Sequence, residues 1–364
     1  MKKNHTKILK KVFKSKKVLI TGHTGFKGSW LSLCLRYLGA NVLGISKNIP
    51  SSPSNFLSSN IDKIVKSKTL DIKKIDKIKA VINRFQPDFI FHLAAQSLVG
   101  VSYEKPLITW NSNLMGTVNI LETLKEFKKR VTVVIITSDK SYKNVEKKSG
   151  YKETDLLGGE DPYSASKSAA EIAINSYFNS FLKKKKNINI GIARAGNVIG
   201  GGDWSKDRLI PDCIRSWSKK RKVEIRNPNS TRPWQHVLEA VWGYVFFAYK
   251  LRLNNKLNGQ AFNFGPKSKK NYKVSELLNV IQSYWPDVKY HYPKNRKKFN
   301  ESKLLKLNCS KAKNLLKWES VLNFNETAKL TADWYYSYYF KNKRTQAISL
   351  DQIKNFEKIF NQRN

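Results

Sequence analysis

Apolar residues recur in short β-branched runs separated by longer stretches of helical spacing. Lys17–Thr21 (KVLIT) is an apolar run that ends at glycines and predicts a buried strand. Trp30, Leu31, Leu33, Leu35 and Leu38 follow at near-helical spacing, and Gly39 closes that helix. The same reading predicts strands at Asn41–Ile45, Asp88–Leu93, Val131–Thr137 and Ile188–Ala193. Helices are predicted between them at 75–85, 107–129 and 164–182, and a Ser/Pro/Asn loop at 51–60. Repeated β-α-β units imply a parallel sheet with helices on both faces. Beyond about residue 196 the pattern breaks into Gly-rich loops, with later helices at 237–251, 274–284 and 325–339. The predicted class is α/β: a Rossmann-type doubly wound parallel sheet with a smaller mixed α/β C-terminal lobe.

Composition narrows the picture. Across 364 residues, 40% are hydrophobic and the aromatics are spread throughout, so a sizeable core can form. No apolar run approaches the roughly 20 residues of a membrane span, so no membrane partner is expected. Cys34, Cys213 and Cys309 have neither metal-ligand nor disulfide-framework spacing, so no metal is expected and a reducing, cytoplasmic setting fits. The formal charge is +41. The lysines are scattered rather than gathered into an arm, which reads as solvated surface and not as a nucleic-acid site.

The chemistry concentrates in two places. Gly22, Gly25 and Gly28 stand in T-G-H-T-G-F-K-G between the first strand and the first helix. In that context the glycines allow a tight turn, backbone approach to a pyrophosphate, and close helix–strand packing, so a dinucleotide is expected there. The acid that normally meets the adenosine ribose about 20 residues on is missing. Ser46 or Asn48 could bond the 2′-hydroxyl, Lys47 could attract a 2′-phosphate, and Asp71-Ile72 could flank the adenine. The second place is Tyr163-x-x-x-Lys167 at a helix start, a spacing that puts both side chains on one face. A lysine ammonium beside a phenol favours the phenolate, so Tyr163 can act as a base. Ser138, at the end of the preceding strand, could orient a substrate hydroxyl.

Ser138, Tyr163, Lys167 and the glycine loop resemble the extended short-chain dehydrogenase/reductase superfamily. Finer blocks resemble its CDP-glucose 4,6-dehydratase family. They are H-L-A-A-Q-S-L-V at 92–99, S-D-K-S-Y at 138–142, A-R-A-G-N-V-I-G-G-G-D-W at 193–204, D-R-L-I-P-D at 207–212 and R-N-P-N-S-T-R-P-W-Q-H-V-L-E at 226–239. The resemblance runs from about residue 17 to 340. It implies NAD as cofactor, CDP-glucose as substrate, a homodimer through the helices around 107–129 and 164–182, and a role in deoxysugar and surface-polysaccharide synthesis. The implied reaction is oxidation at C4, elimination of water across C5–C6, and return of the hydride to C6. Asp139 would protonate the departing O6 and Lys140 would take the C5 proton, its pKa lowered by burial or by Lys167. Cofactor contacts are also implied for Thr24, Phe26, Lys27, Leu93, Ala94 and Ala95. Substrate contacts are implied for Gln96, Asn197, Arg208, Leu209, Ile210, Arg226, Arg232 and His236. Arg194 reads equally as structural, Trp234 as stacking or packing, and Asn113 as support for the tyrosine region. At 299–303, Phe-Asn-Glu-Ser-Lys keeps Glu301 but departs from that family's pattern. The expected organisation is a basic leader over 1–15, an NAD-binding Rossmann domain over 16–195 to which later segments return, a nucleotide-sugar lobe over 196–345, and a tail over 346–364.

Overall fold

A computed structural model describes residues 5–225, 227–267, 270–285, 288–292, 304–341 and 343–363. The first half of the chain forms α1 (His5–Phe13), β1 (Lys17–Thr21), α2 (Phe26–Tyr37), β2 (Asn41–Ser46), β3 (Lys66–Thr69), α3 (Ile75–Phe85), β4 (Phe89–His92), α4 (Gly116–Glu126), β5 (Val131–Ile136), α5 (Pro162–Tyr177) and β6 (Ile188–Ala195). After it come α6 (Leu209–Trp217), α7 (Val237–Leu253), β7 (Ala261–Phe264), α8 (Val274–Gln282), α9 (Phe324–Phe340) and α10 (Thr345–Arg363).

Among the described residues seven strands form one sheet in the order β7-β6-β5-β4-β1-β2-β3. Each neighbouring pair is parallel. Its strands are buried on both faces, and alternate side chains enter separate cores, as the two-residue strand period requires. Val18, Ile20, Phe89, Phe91 and Val134 pack with α2 and α7. Leu19, Ile90, Val133, Ile135 and Ile190 pack with α3, α4 and α5. The strand order reverses between β1 and β4, so the loops leaving their C-terminal ends flank a crevice, the usual ligand position in such a sheet.

The fold departs from the sequence reading at its edges. The expected basic leader and C-terminal tail are helices, α1 and α10, joined to each other and to α7. Leu9, Phe13, Ile353, Phe356 and Phe360 are fully buried. β3 reads Lys-Ser-Lys-Thr, is exposed along its length, and carries no apolar pattern that could have predicted it. The helix expected at 107–129 is interrupted by a π-turn at Asn111–Met115 and ends at Glu126. Among the described residues no helix is long and apolar enough to cross a membrane.

Candidate active site

The glycine loop behaves as its spacing predicts. Gly22 has φ +77°, and a Cβ there would lie 2.8 Å from the Ala94 amide nitrogen. A Cβ on Gly28 would lie 2.1 Å from the Gly22 carbonyl oxygen, so only glycine lets α2 start so close to β1. Gly25 caps α2 and brings no side-chain acceptor, which leaves the first-turn N–H groups and the positive end of the helix dipole for an anion.

The adenosine end is built differently from an acid-bearing pocket. His23 is fully buried, with Nδ1 at 3.0 Å from Ser46 Oγ and Nε2 at 2.7 Å from Ser67 Oγ. Burial lowers its pKa to about 4, so the ring is neutral at physiological pH. Gly44 makes room for it, since a Cβ there would meet the ring at 2.1 Å. Thr24 donates Oγ1 to the Asn48 carbonyl at 2.7 Å and its N–H to Ser46 Oγ at 3.3 Å. Lys47 faces Asp71 at 3.8 Å, which couples two residues considered separately in the sequence. Ile72 is buried against the Gly116 position, where a Cβ would meet its side chain at 2.3 Å. Leu93, Ala94 and Ala95 are half-buried in the loop after β4, opposite the glycines.

The catalytic candidates come from two elements. β5 ends at Ile136, and Asp139–Ser141 form a 3₁₀ turn capped by Ser138. Ser138 Oγ accepts the Lys140 N–H at 3.2 Å and donates to Asp139 Oδ1 at 2.9 Å. Because the strand has ended, Asp139 and Lys140 are freed from pointing to opposite faces. Asp139 is buried, and a Cβ on Gly196 would come within 2.9 Å of its Oδ2. Burial raises its pKa, opposed by the Lys140 charge and the Ser138 hydroxyl, which suits a proton donor.

The second element is α5. Asp161 accepts the Ser164 N–H at 3.0 Å and Pro162 fills the first turn, so the helix start that carries Tyr163 is fixed. Losing that cap would cost about 1 kcal/mol. Tyr163 and Lys167 are both buried, and the phenol is hydrogen-bonded to Ser138. Their ionisation differs from the sequence expectation. Burial raises the Tyr163 pKa and lowers that of Lys167 to about 8, against the pull of Glu171. Desolvation disfavours both charged forms and here outweighs the expected mutual stabilisation. Lys27 joins the cluster: burial, Arg208 and Lys167 lower its pKa to about 8, while Asp139 opposes them.

The substrate side is mixed. Arg208 caps α6 and pairs with Asp203 at 3.1 Å, yet its charge reaches Lys27 and Tyr163. Asn197 is exposed in the loop after β6, and Arg232 is half-buried in a short antiparallel ladder with Tyr272. Leu209 is half-buried, whereas Ile210 belongs to the core. Three expectations are corrected. Gln96 turns inward: its Oε1 accepts Leu98 N–H at 2.6 Å and its Nε2 donates to Leu98 O and Thr109 Oγ1, so it shapes its own loop. His236 has no surface exposure, caps α7 through Nδ1 at 3.3 Å, and sits edge-on to Trp30. Trp234 packs rather than stacks, its Nε1 donating to Tyr272 O at 3.2 Å. Arg226 and Glu301 lie outside the described residues. Asn113 holds the Gln96 backbone and donates to Ser166 Oγ at 2.9 Å, linking the β4 loop to α5. Tyr244 escaped the sequence reading: it lies on α7, buried, close enough for Asp139 and Tyr163 to raise its pKa. An apolar helix interior gave no signal of a group beneath the site.

Comparison with known proteins agrees with this geometry. The profile of the GDP-mannose 4,6 dehydratase family matches residues 19–331. The chain is 42% identical over 330 residues to a CDP-glucose 4,6-dehydratase of Salmonella typhimurium, covering 90% of this chain and 92% of that one. An epimerase of Methanothermobacter thermautotrophicus superposes with a TM-score of 0.79 at 22% identity, covering 93% and 96% of the two chains. A dTDP-glucose 4,6-dehydratase of Bacillus anthracis, solved in complex with NAD, superposes with a TM-score of 0.73 at 20% identity, covering 90% and 99%. A switch-point glycine loop, a Ser-Tyr-Lys set and an adjoining Asp-Lys turn, on a chain matched almost end to end, place the protein in the GDP-mannose 4,6 dehydratase family of nucleotide-sugar dehydratases.

Proposed function

We propose that this protein is an NAD-dependent CDP-glucose 4,6-dehydratase that forms CDP-4-dehydro-6-deoxy-D-glucose for the deoxysugars of surface polysaccharide. The observation that carries the reading is the buried, acid-shifted Asp139 beside Lys140, on a turn hydrogen-bonded to Tyr163. An epimerase needs only proton exchange at the sugar hydroxyl, whereas elimination of water needs an acid and a base in addition.

The residues present fit NAD. The Gly22–Gly28 turn and the first turn of α2 would take the pyrophosphate, the β2 end and Asp71-Ile72 would border the adenosine, and Leu93–Ala95 would line the opposite wall. Bound NAD supplies the acceptor and donor of the transferred hydride. Ser138 orients the C4 hydroxyl and Tyr163 takes its proton, with Lys167 close by to favour the phenolate. The resulting ketone acidifies C5, from which Lys140 takes a proton. Asp139 gives its proton to O6 as water leaves. Arg208 and Arg232 hold the diphosphate by guanidinium hydrogen bonds.

The test is incubation with CDP-glucose and NAD. The expected product has lost one water, shows the alkaline ultraviolet absorbance of a 4-keto-6-deoxy sugar, and forms without accumulation of NADH. Stoichiometric NADH, or dehydration of a different nucleotide sugar in preference to CDP-glucose, would refute the assignment.

The protein acts as a homodimer in the cytoplasm. Tyr103, Leu107, Ile108, Ile172 and Phe181 are exposed on helices at 99–110 and 162–182 that pack together, and a second copy would cover them.

A further inference from the structure

The reacting groups come from the turn after β5 and from α5, and these must hold their spacing to a fraction of an ångström for proton transfer. A buried polar network joins the two and takes no part in the reaction steps. Glu171, one helical turn beyond Lys167, has no surface exposure. Its carboxylate accepts Thr137 Oγ1 at 2.6 Å and Arg194 Nε at 3.0 and 2.9 Å. Arg194 Nη1 donates to the Tyr142 phenol at 2.7 Å, and the guanidinium lies 4.7 Å from that ring's centroid. Tyr142 donates in turn to Asn263 Oδ1 at 2.8 Å, on β7. Thr137 and Tyr142 bracket Ser138–Ser141, and Ser168 of α5 donates to the Ser141 carbonyl at 2.8 Å. The turn is thus clamped before, within and after its catalytic residues.

We propose, building on the dehydratase reading, that Glu171 and Arg194 are a positioning pair. They lock the turn bearing Ser138, Asp139 and Lys140 against the face of α5 that bears Tyr163 and Lys167, and they hold a negative charge one turn behind Lys167. A buried ion pair is a costly way to fill a core, since apolar side chains of similar volume serve stability as well. What the pair adds is fixed geometry and a local field. The charged or titratable groups facing Lys167 are Glu171 on its own helix, Lys27 from the glycine loop and His92 from β4. His92 is neutral, its pKa lowered to about 3 by burial and by Lys167. Without the Glu171 charge, Lys27 is the facing charge that remains, and Lys167 loses its proton at lower pH.

The test compares the holoenzyme with Glu171→Gln, with Glu171→Gln/Arg194→Met and with Thr137→Val, measuring kcat, KM for CDP-glucose and the pH–rate profile. Glu171→Gln should lower kcat by about 10²-fold, the scale of a misaligned general base, with KM within about twofold. Its alkaline limb should move to lower pH. The double variant removes the unpaired guanidinium that could unfold the single one. It should keep the parent near-ultraviolet circular dichroism and show the same slow, shifted profile. Thr137→Val keeps the charges, and should lower kcat about tenfold with the limb unmoved. Parent kcat and parent pH profile in a folded charge variant would overturn the proposal, as would parent kcat in Thr137→Val if the charge variants do not fold. An inactive parent refutes the dehydratase reading, whereas an active parent matched by its variants refutes the positioning role.

Discussion

Replacing Tyr163 with Phe deletes one hydroxyl from a buried hydrogen bond with Ser138. It should lower kcat by about 10²–10⁴-fold while CDP-glucose still binds, as titration calorimetry would show. Lys140→Met tests a later step. C4 oxidation should partly survive and water elimination should stop, so mixing with CDP-glucose should give NADH absorbance without dehydrated product. Normal dehydration by this variant would remove Lys140 from its role. Lys27 gives a prediction about stability. Its folded pKa of about 8 lies below the 10.5 of an exposed lysine, so the unfolded chain binds the extra proton between those values. Its burial therefore costs stability below about pH 8, and that cost fades as pH rises to 10.5. Lys27→Met should melt above the parent at neutral pH, with the advantage shrinking across that window in paired melts. Residues whose role follows from local spacing, such as Gly22, Gly28, Tyr163 and Lys167, were readable in the sequence. Gln96 and His236 were misread because their partners, Leu98, Thr109 and the α7 backbone, decide where a polar side chain points.

Among the elements, central strands declare themselves because burial on both faces demands continuous apolar runs, as in Val131–Ile136. Edge strands need no such run: β3 is held by its register with β2, Leu43 opposite Lys66, and lies beyond what its own residues reveal. The strand end at Ile136 is the element-scale fact that the Asp139-Lys140 chemistry required, and the Ser138 cap supplies it. The apolar face on the helices at 99–110 and on α5 yields a further prediction. Leu107→Asp with Ile172→Asp should convert the dimer to a monomer by light scattering, with far-ultraviolet circular dichroism unchanged, since both side chains are exposed at 75% and 60%. A monomeric parent would overturn this dimer face.

At the scale of the molecule, a +41 charge is a standing self-repulsion. Raising ionic strength from about 0.01 to 0.15 M shortens the screening length from about 30 to 8 Å, so the melting temperature should rise. A flat or falling response in differential scanning calorimetry would show that local ion pairs dominate. The same field draws in a doubly anionic substrate, and kcat/KM should fall as salt is added.

The joined terminal helices carry a consequence for biosynthesis. Thr6 N–H donates to Asn361 Oδ1 at 3.2 Å, Lys10 pairs with Glu357 at 3.0 Å, and Phe360 closes over Trp242 and His5. During translation α1 leaves the ribosome before β1 and stays without its cover until α10 emerges, hundreds of residues later. The β-α-β units can assemble as they appear, but the seal over α7 forms last. Nascent chains stalled before residue 345 should therefore expose Trp242 to quenchers and recruit chaperones, and should release them once α10 is made.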